Sequence, residues 1–355
     1  MAIAGIVSGH WLVTATVAAP GGTLAGLDVD SPLRHLPELV PVSWLLQTLG
    51  LFFFAGGFAA AVSHARGRLR GERPASWFGA RVRRLAVAVA VVLLGWVAVW
   101  IVLSGFGLSA GTAATVRNLV TSPLWFLAVY VVLLAGTSWT RSLHARFGVG
   151  AAAIPGFLAV GVDAAVALGA PEPIGQLNVL LVWWVLWQLG VAVADGWTAS
   201  WRHGAVLLVC AAAGFGILVL VAGYPASAVG GTGEARSNLA PPSVAALALA
   251  LAQLGGVLIA APLLRRLAAM RGWRAAIGWA NVKALPIFLL HQSALVTVVL
   301  IAGSFGALPG LHTPPDDLGW VAARLCWLPV FAGALVVLLA VLGRLLGGPP
   351  RRPLL

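Results

Sequence analysis

Charge is what this sequence has least of: Asp, Glu, Lys and Arg together make up 9% of its 355 residues, where a soluble globular domain carries roughly 25%. An ordinary soluble domain is therefore excluded. Disorder is excluded as well, because a chain that stays unfolded needs low hydropathy and high charge to remain solvated. Cysteine is nearly absent. Cys210 and Cys326 each lie inside an apolar run and read as small buried hydrophobes, and no Cys/His spacing matches a zinc site, so no metal is expected. Acidic residues are also few, 10 against 22 Lys and Arg, which leaves a net charge of +12.

What fills the chain instead is apolar: 60% of residues are hydrophobic and the mean hydropathy is +0.97. A helix needs roughly 20 apolar residues to cross the hydrocarbon core of a bilayer. Ten segments approach that length, at 2–19, 44–63, 85–103, 121–139, 148–168, 177–194, 204–222, 241–261, 282–302 and 322–346. The expected fold is all-α: one polytopic membrane domain over 1–355, with about ten transmembrane helices.

The basic residues orient these segments. With the N-terminus cytoplasmic, 18 Lys and Arg fall on inner segments, seven of them in 64–84. Only Arg34, Arg117, Arg236 and Arg324 fall outside. Loops retained on the cytoplasmic side carry such an excess, so both termini are expected inside. Asp28, Asp30, Glu38, Glu172, Glu234, Asp316 and Asp317 then face outward. The same distribution explains the net charge without nucleic acid, and no nucleic-acid partner is expected. The first segment has small residues at 15–19 but no positive region ahead of it. It therefore reads as a retained helix rather than a cleaved signal peptide, and the true start is expected a few residues upstream.

Titratable side chains at bilayer depth are costly and mark functional sites by default. His10 lies in the first segment, His291 in the ninth and Asp163 in the fifth. At ~1.5 Å per residue His10 sits about 14 Å from the inner end of its helix, and His291 sits at a similar depth in a helix running the same way. Imidazole titrates near neutrality and moves protons, which makes both candidates for a reactive or substrate-contacting role. The competing reading for each is a neutral ring bonded to a carbonyl or to an amide such as Gln188, Gln253 or Gln292. Asp163, near the outer end of its helix, reads as structural, and the intramembrane amides read as bonds between helices. Arg81 and Arg84 are three apart and share a helical face at the inner edge of the membrane. Their guanidinium forks suit phosphate oxygens, although anchoring to the cytoplasmic face and contact with anionic lipid alone explain most of the arginines in 66–84, and the cluster by itself favours that reading.

Ordered along the chain, several fragments resemble the acyltransferase-3 family of bacterial integral membrane acyltransferases. They are Ser8-Gly9-His10-Trp11-Leu12, the Phe-rich and glycine-paired 47–63, Arg81-Val82-Arg83-Arg84, Ser122-Pro123-Leu124-Trp125-Phe126-Leu127, Gln188-Leu189-Gly190 with Asp195-Gly196, Asn238-Leu239-Ala240-Pro241-Pro242-Ser243, and Phe288-Leu289-Leu290-His291. Where the family often has a His before the Gln-Leu-Gly run this chain has Trp187, and Leu290 stands where the family often has Trp. The resemblance implies a multi-pass protein of the inner (plasma) membrane with no permanently bound cofactor. Its donor substrate would be acyl-CoA from the cytoplasm. The acyl group, often acetyl, would pass to a hydroxyl of an envelope glycan, lipid or secondary metabolite. His10 would be catalytic, Arg81 and Arg84 would hold the donor's phosphates, and His291 is read as a second, orienting group. Two other classes stay open from the residues alone. One is a transporter or flippase whose histidines line a pathway, and the other is a diverged, non-catalytic member of the family.

Overall fold

A computed structural model describes residues 2–230, 232–233 and 236–347. Arg351 and Arg352, counted among the inner basic residues, and Glu234, counted among the outer acidic ones, lie outside them. Helix α1 (Ala2–Val13) leads into an antiparallel hairpin of β1 (Ala15–Ala19) and β2 (Gly22–Asp30). Short helical turns at Pro32–His35 and Val40–Leu46 precede α2 (Leu49–Leu69) and α3 (Pro74–Ser104). There follow α4 (Ala110–Thr121), α5 (Leu124–Ala135), α6 (Thr137–Phe147), α7 (Ala153–Ala167), α8 (Asn178–Ala194), α9 (Trp201–Leu220), α10 (Val244–Ala269), α11 (Arg271–Ala302) and α12 (Leu318–Leu345).

Among the described residues, nine helical segments are long and apolar enough to cross a membrane, and α1 is a shorter apolar helix. The protein is thus an all-α polytopic membrane protein, with a two-stranded hairpin as its one sheet among the described residues. The first segment differs from its expected extent, since the helix stops at Val13 and the stretch expected to continue it to 19 is β1. Thr14, Thr16 and Val17 are β-branched and suit an extended chain, Pro20 and Gly21 break it, and Gly22 takes the positive φ of +89° that the turn demands. Pairing from Ala15 with Asp30 to Ala18 with Leu27 then satisfies the backbone that the helix no longer serves. The expected fourth segment is displaced too. Its helical span covers Ala110–Ala135, interrupted at 122–123 because Pro123 has no N–H to give to the preceding turn.

The chain divides into two compact units: Met1–Ile6, Pro37–Gly79 and Phe126–Ala280 form one, and Val7–Leu36, Ala80–Trp125 and Asn281–Leu355 the other. In the first, α8 is central, and its residues from Val182 to Ala192 are buried on every side. Such closeness to α2 depends on glycine. A Cβ at Gly57 would collide with the Trp187 carbonyl, and one at Gly190 with the Phe54 carbonyl. The glycine pair of the second apolar segment is therefore a packing device of the kind that lets membrane helices approach closely. Trp187, buried beneath Gly56 and edge-on to Tyr130 at 5.5 Å, belongs to that same contact.

Gln188 and Asp163 of this unit make hydrogen bonds to other helices. Gln188 donates to the Thr140 carbonyl at 2.8 Å and accepts from Trp184 Nε1 at 3.3 Å. Asp163 accepts from Asn178 Nδ2 (2.8 Å), Tyr224 Oη (3.0 Å) and the Val244 N–H at the start of α10 (2.8 Å), with Arg236 3.7 Å away. That full set of partners accounts for its burial. Burial first, and then the Asp163 charge, push the Tyr224 hydroxyl above the ordinary tyrosine range.

Candidate active site

All four residues singled out from the sequence, His10, Arg81, Arg84 and His291, lie in the second unit. His10 occupies the last turn of α1 and His291 the middle of α11. Their ring centroids are 4.9 Å apart with planes tilted by 51°. His291 is fully buried, whereas His10 as a residue keeps exposed surface. The two rings also differ in their bonding. His291 Nδ1 is 2.6 Å from the Phe288 carbonyl. A carbonyl only accepts, so Nδ1 carries the proton and Nε2 presents a lone pair. That Nε2 is buried without a hydrogen-bond partner. Beside it, the Gln292 amide nitrogen lies 3.4 Å from His10 Nδ1.

The short helix that carries His10 is fastened at its C-terminal end, where carbonyls lack partners within the helix. Trp11 Nε1 donates to the His291 carbonyl at 2.9 Å, tying α1 to α11 at the level of the two histidines. Arg324 of α12 does more. Its Nε donates to the Trp11 carbonyl at 2.6 Å, Nη1 to the Gly310 carbonyl at 2.9 Å, and Nη2 to the Thr14 carbonyl. The guanidinium also lies over the rings of Phe331 (4.8 Å) and Trp320 (5.5 Å). The sequence reading placed Arg324 among the outer basic residues, but it is fully buried. A cation at a helix C-terminus is favoured by the helix dipole, and here one guanidinium closes the end of the helix bearing His10. An Arg inside the tenth apolar run was the one signal in the sequence for this role.

Arg81 and Arg84 lie near the N-terminal end of α3. Arg84 is exposed and donates only to the Ala80 carbonyl of its own helix among the described bonds, at 3.2 Å, while Arg81 is partly buried. Farther along α3, Trp96 Nε1 donates to Ser293 Oγ at 2.9 Å, two residues beyond His291. Twelve and fifteen residues separate Trp96 from the two arginines. At ~1.5 Å per residue they stand roughly 18 to 22 Å down the helix axis from that contact. The arginines and the histidines thus lie in one unit, separated along α3.

A family model described as an acyltransferase domain matches residues 1–346. The chain belongs to the acyltransferase-3 family. It is a membrane acyltransferase, transferring acyl groups other than aminoacyl. No curated protein and no solved structure matches it. Within this acyltransferase the position at which the family resemblance leads one to expect a second His holds the buried Trp187. No group of three or more His, Cys, Asp or Glu among the described residues is arranged to hold a metal ion.

Proposed function

We propose that the protein carries an acyl group, acetyl being the expected one, from cytoplasmic acyl-CoA to a hydroxyl of an envelope glycan, a lipid or a secondary metabolite at the inner (plasma) membrane. Arg81 and Arg84 bind the phosphates of the donor, whose acyl arm runs up the bundle toward the histidine layer. His10 is the general base. As the acceptor oxygen attacks the thioester carbonyl, its proton passes to the imidazole and the new C–O bond forms. The C–S bond then breaks and the sulfur leaves with that proton as free coenzyme A thiol. His291, with its lone pair bare, orients the acceptor hydroxyl or His10 itself. The observation that supports this reading is the juxtaposition of the His10 ring and a buried imidazole whose Nε2 has no partner, since unsatisfied buried polar atoms gather at functional sites.

Acyl-CoA turnover by the purified protein in nanodiscs tests it. His10→Ala is expected to lower kcat about 100- to 10,000-fold, the contribution of a positioned base. Equal turnover in the two proteins overturns the assignment. Transport of an unmodified cargo, with no acylated product from labelled donor, overturns the reaction class.

A further inference from the structure

The contact on the other nitrogen of His10 bears on how a base can work there, and the inference drawn from it rests on the proposed role of His10. Gln292 is 2% exposed, and its amide nitrogen is 3.4 Å from His10 Nδ1. Its Oε1 is buried and has no hydrogen-bond partner. An amide presents a donor at one end and an acceptor at the other. With the NH2 group against Nδ1, that nitrogen must hold a lone pair, the proton sits on Nε2, and the ring cannot take a proton there. With the carbonyl against Nδ1, the proton sits on Nδ1 and Nε2 is free to act as base.

The first arrangement leaves the buried oxygen unpaired, and a half-turn puts the NH2 group in its place, so pairing alone does not choose between the two. Rotation about the terminal torsion of a Gln side chain is soft and roughly two-fold, and a base at Nε2 requires the arrangement in which the oxygen meets Nδ1–H. His291, the other titratable group facing His10, does not compete for this bond, because its own Nδ1 proton is committed to the Phe288 carbonyl. We infer that Gln292 is a positioning residue that sets the tautomer of His10, its Oε1 accepting the Nδ1 proton so that Nε2 receives the proton of the acceptor hydroxyl.

The test uses the full chain in nanodiscs, with 15N-labelled histidine and two variants of similar length. Gln292→Met offers neither donor nor acceptor, and Gln292→Glu only accepts. The wild-type His10 signal, assigned by its loss in His10→Ala, is expected in the Nδ1–H form. In Gln292→Met that form is expected to lose its dominance. kcat should fall roughly 10- to 100-fold, by analogy with loss of the partner that orients a metal-bound imidazole, with KM for acyl-CoA unchanged. Gln292→Glu restores the Nδ1–H form and recovers most of kcat. A tautomer population unchanged in Gln292→Met, or a kcat for Gln292→Glu as low as for Gln292→Met, overturns the inference while a silent His10→Ala still supports the base. An active His10→Ala protein overturns the underlying reading instead. The NMR signal of the wild type decides the tautomer even if one variant fails to fold.

Discussion

Arg324 shows how one side chain is made tolerable within an apolar bundle. A fully buried guanidinium is expensive unless its hydrogen-bonding capacity is used, and here three carbonyls and two aromatic rings use it. Two of those carbonyls, of Trp11 and Thr14, belong to the end of α1. Replacement by Met leaves them and the Gly310 carbonyl without that partner. Arg324→Met is therefore expected to destabilise the protein by about 2 to 5 kcal/mol, read as a lower midpoint of thermal unfolding in detergent, with Arg324→Lys intermediate because it keeps the charge and one bond. At this scale the sequence pointed to His10 and His291 through the cost of placing imidazole in lipid. It was silent on the bond that Trp11 makes to the His291 carbonyl and on the end of α1 that Arg324 closes, because a carbonyl leaves no mark in the order of side chains.

Among the elements, the hairpin that replaces the outer end of the expected first helix has its own electrostatic anchor. Burial pushes the Asp30 carboxyl up. The hydrogen bond from His35, the backbone N–H of Ser31 and the charges of His35 and Arg34 outweigh that and hold it below the usual carboxylate range. A group whose folded pKa is lowered adds stability that is present above its unfolded value, about 3.9 for Asp, and is lost as pH falls through the folded value. Thermal stability should therefore fall more steeply from pH 5 to pH 3, roughly the window around that unfolded value, in the wild type than in Asp30→Asn. Equal acid sensitivity would show that the Asp30 contacts contribute nothing. The hairpin itself went unread because 2–19 is mostly apolar, and hydropathy alone does not separate a helix from a buried strand. The β-branched run and the Pro-Gly turn were the available signal.

Across the whole molecule, the bias of Lys and Arg toward one set of loops makes a prediction that needs no knowledge of the reaction. With Cys210 and Cys326 replaced by Ala, a cysteine introduced at Gly71 should react with a membrane-impermeant thiol reagent only from the cytoplasmic side. One at Asp316 should react only from the opposite side, and the reverse pattern would invert the proposed topology and the side from which donor enters. The sequence by itself determined that this chain lives in a bilayer as many helices, and it carried the family resemblance that the match over residues 1–346 bears out. Both are written in local composition and in the order of short fragments, which survive without knowledge of packing. Only the tertiary structure decided that His10 meets His291 and Gln292, more than 280 positions away along the chain. It alone showed that Arg324, counted in the sequence with the outer basic residues, is buried against the helix of the proposed base. Contacts between distant segments arise from how helices pack, and packing depends on small residues, bends and caps whose combined effect no local pattern encodes.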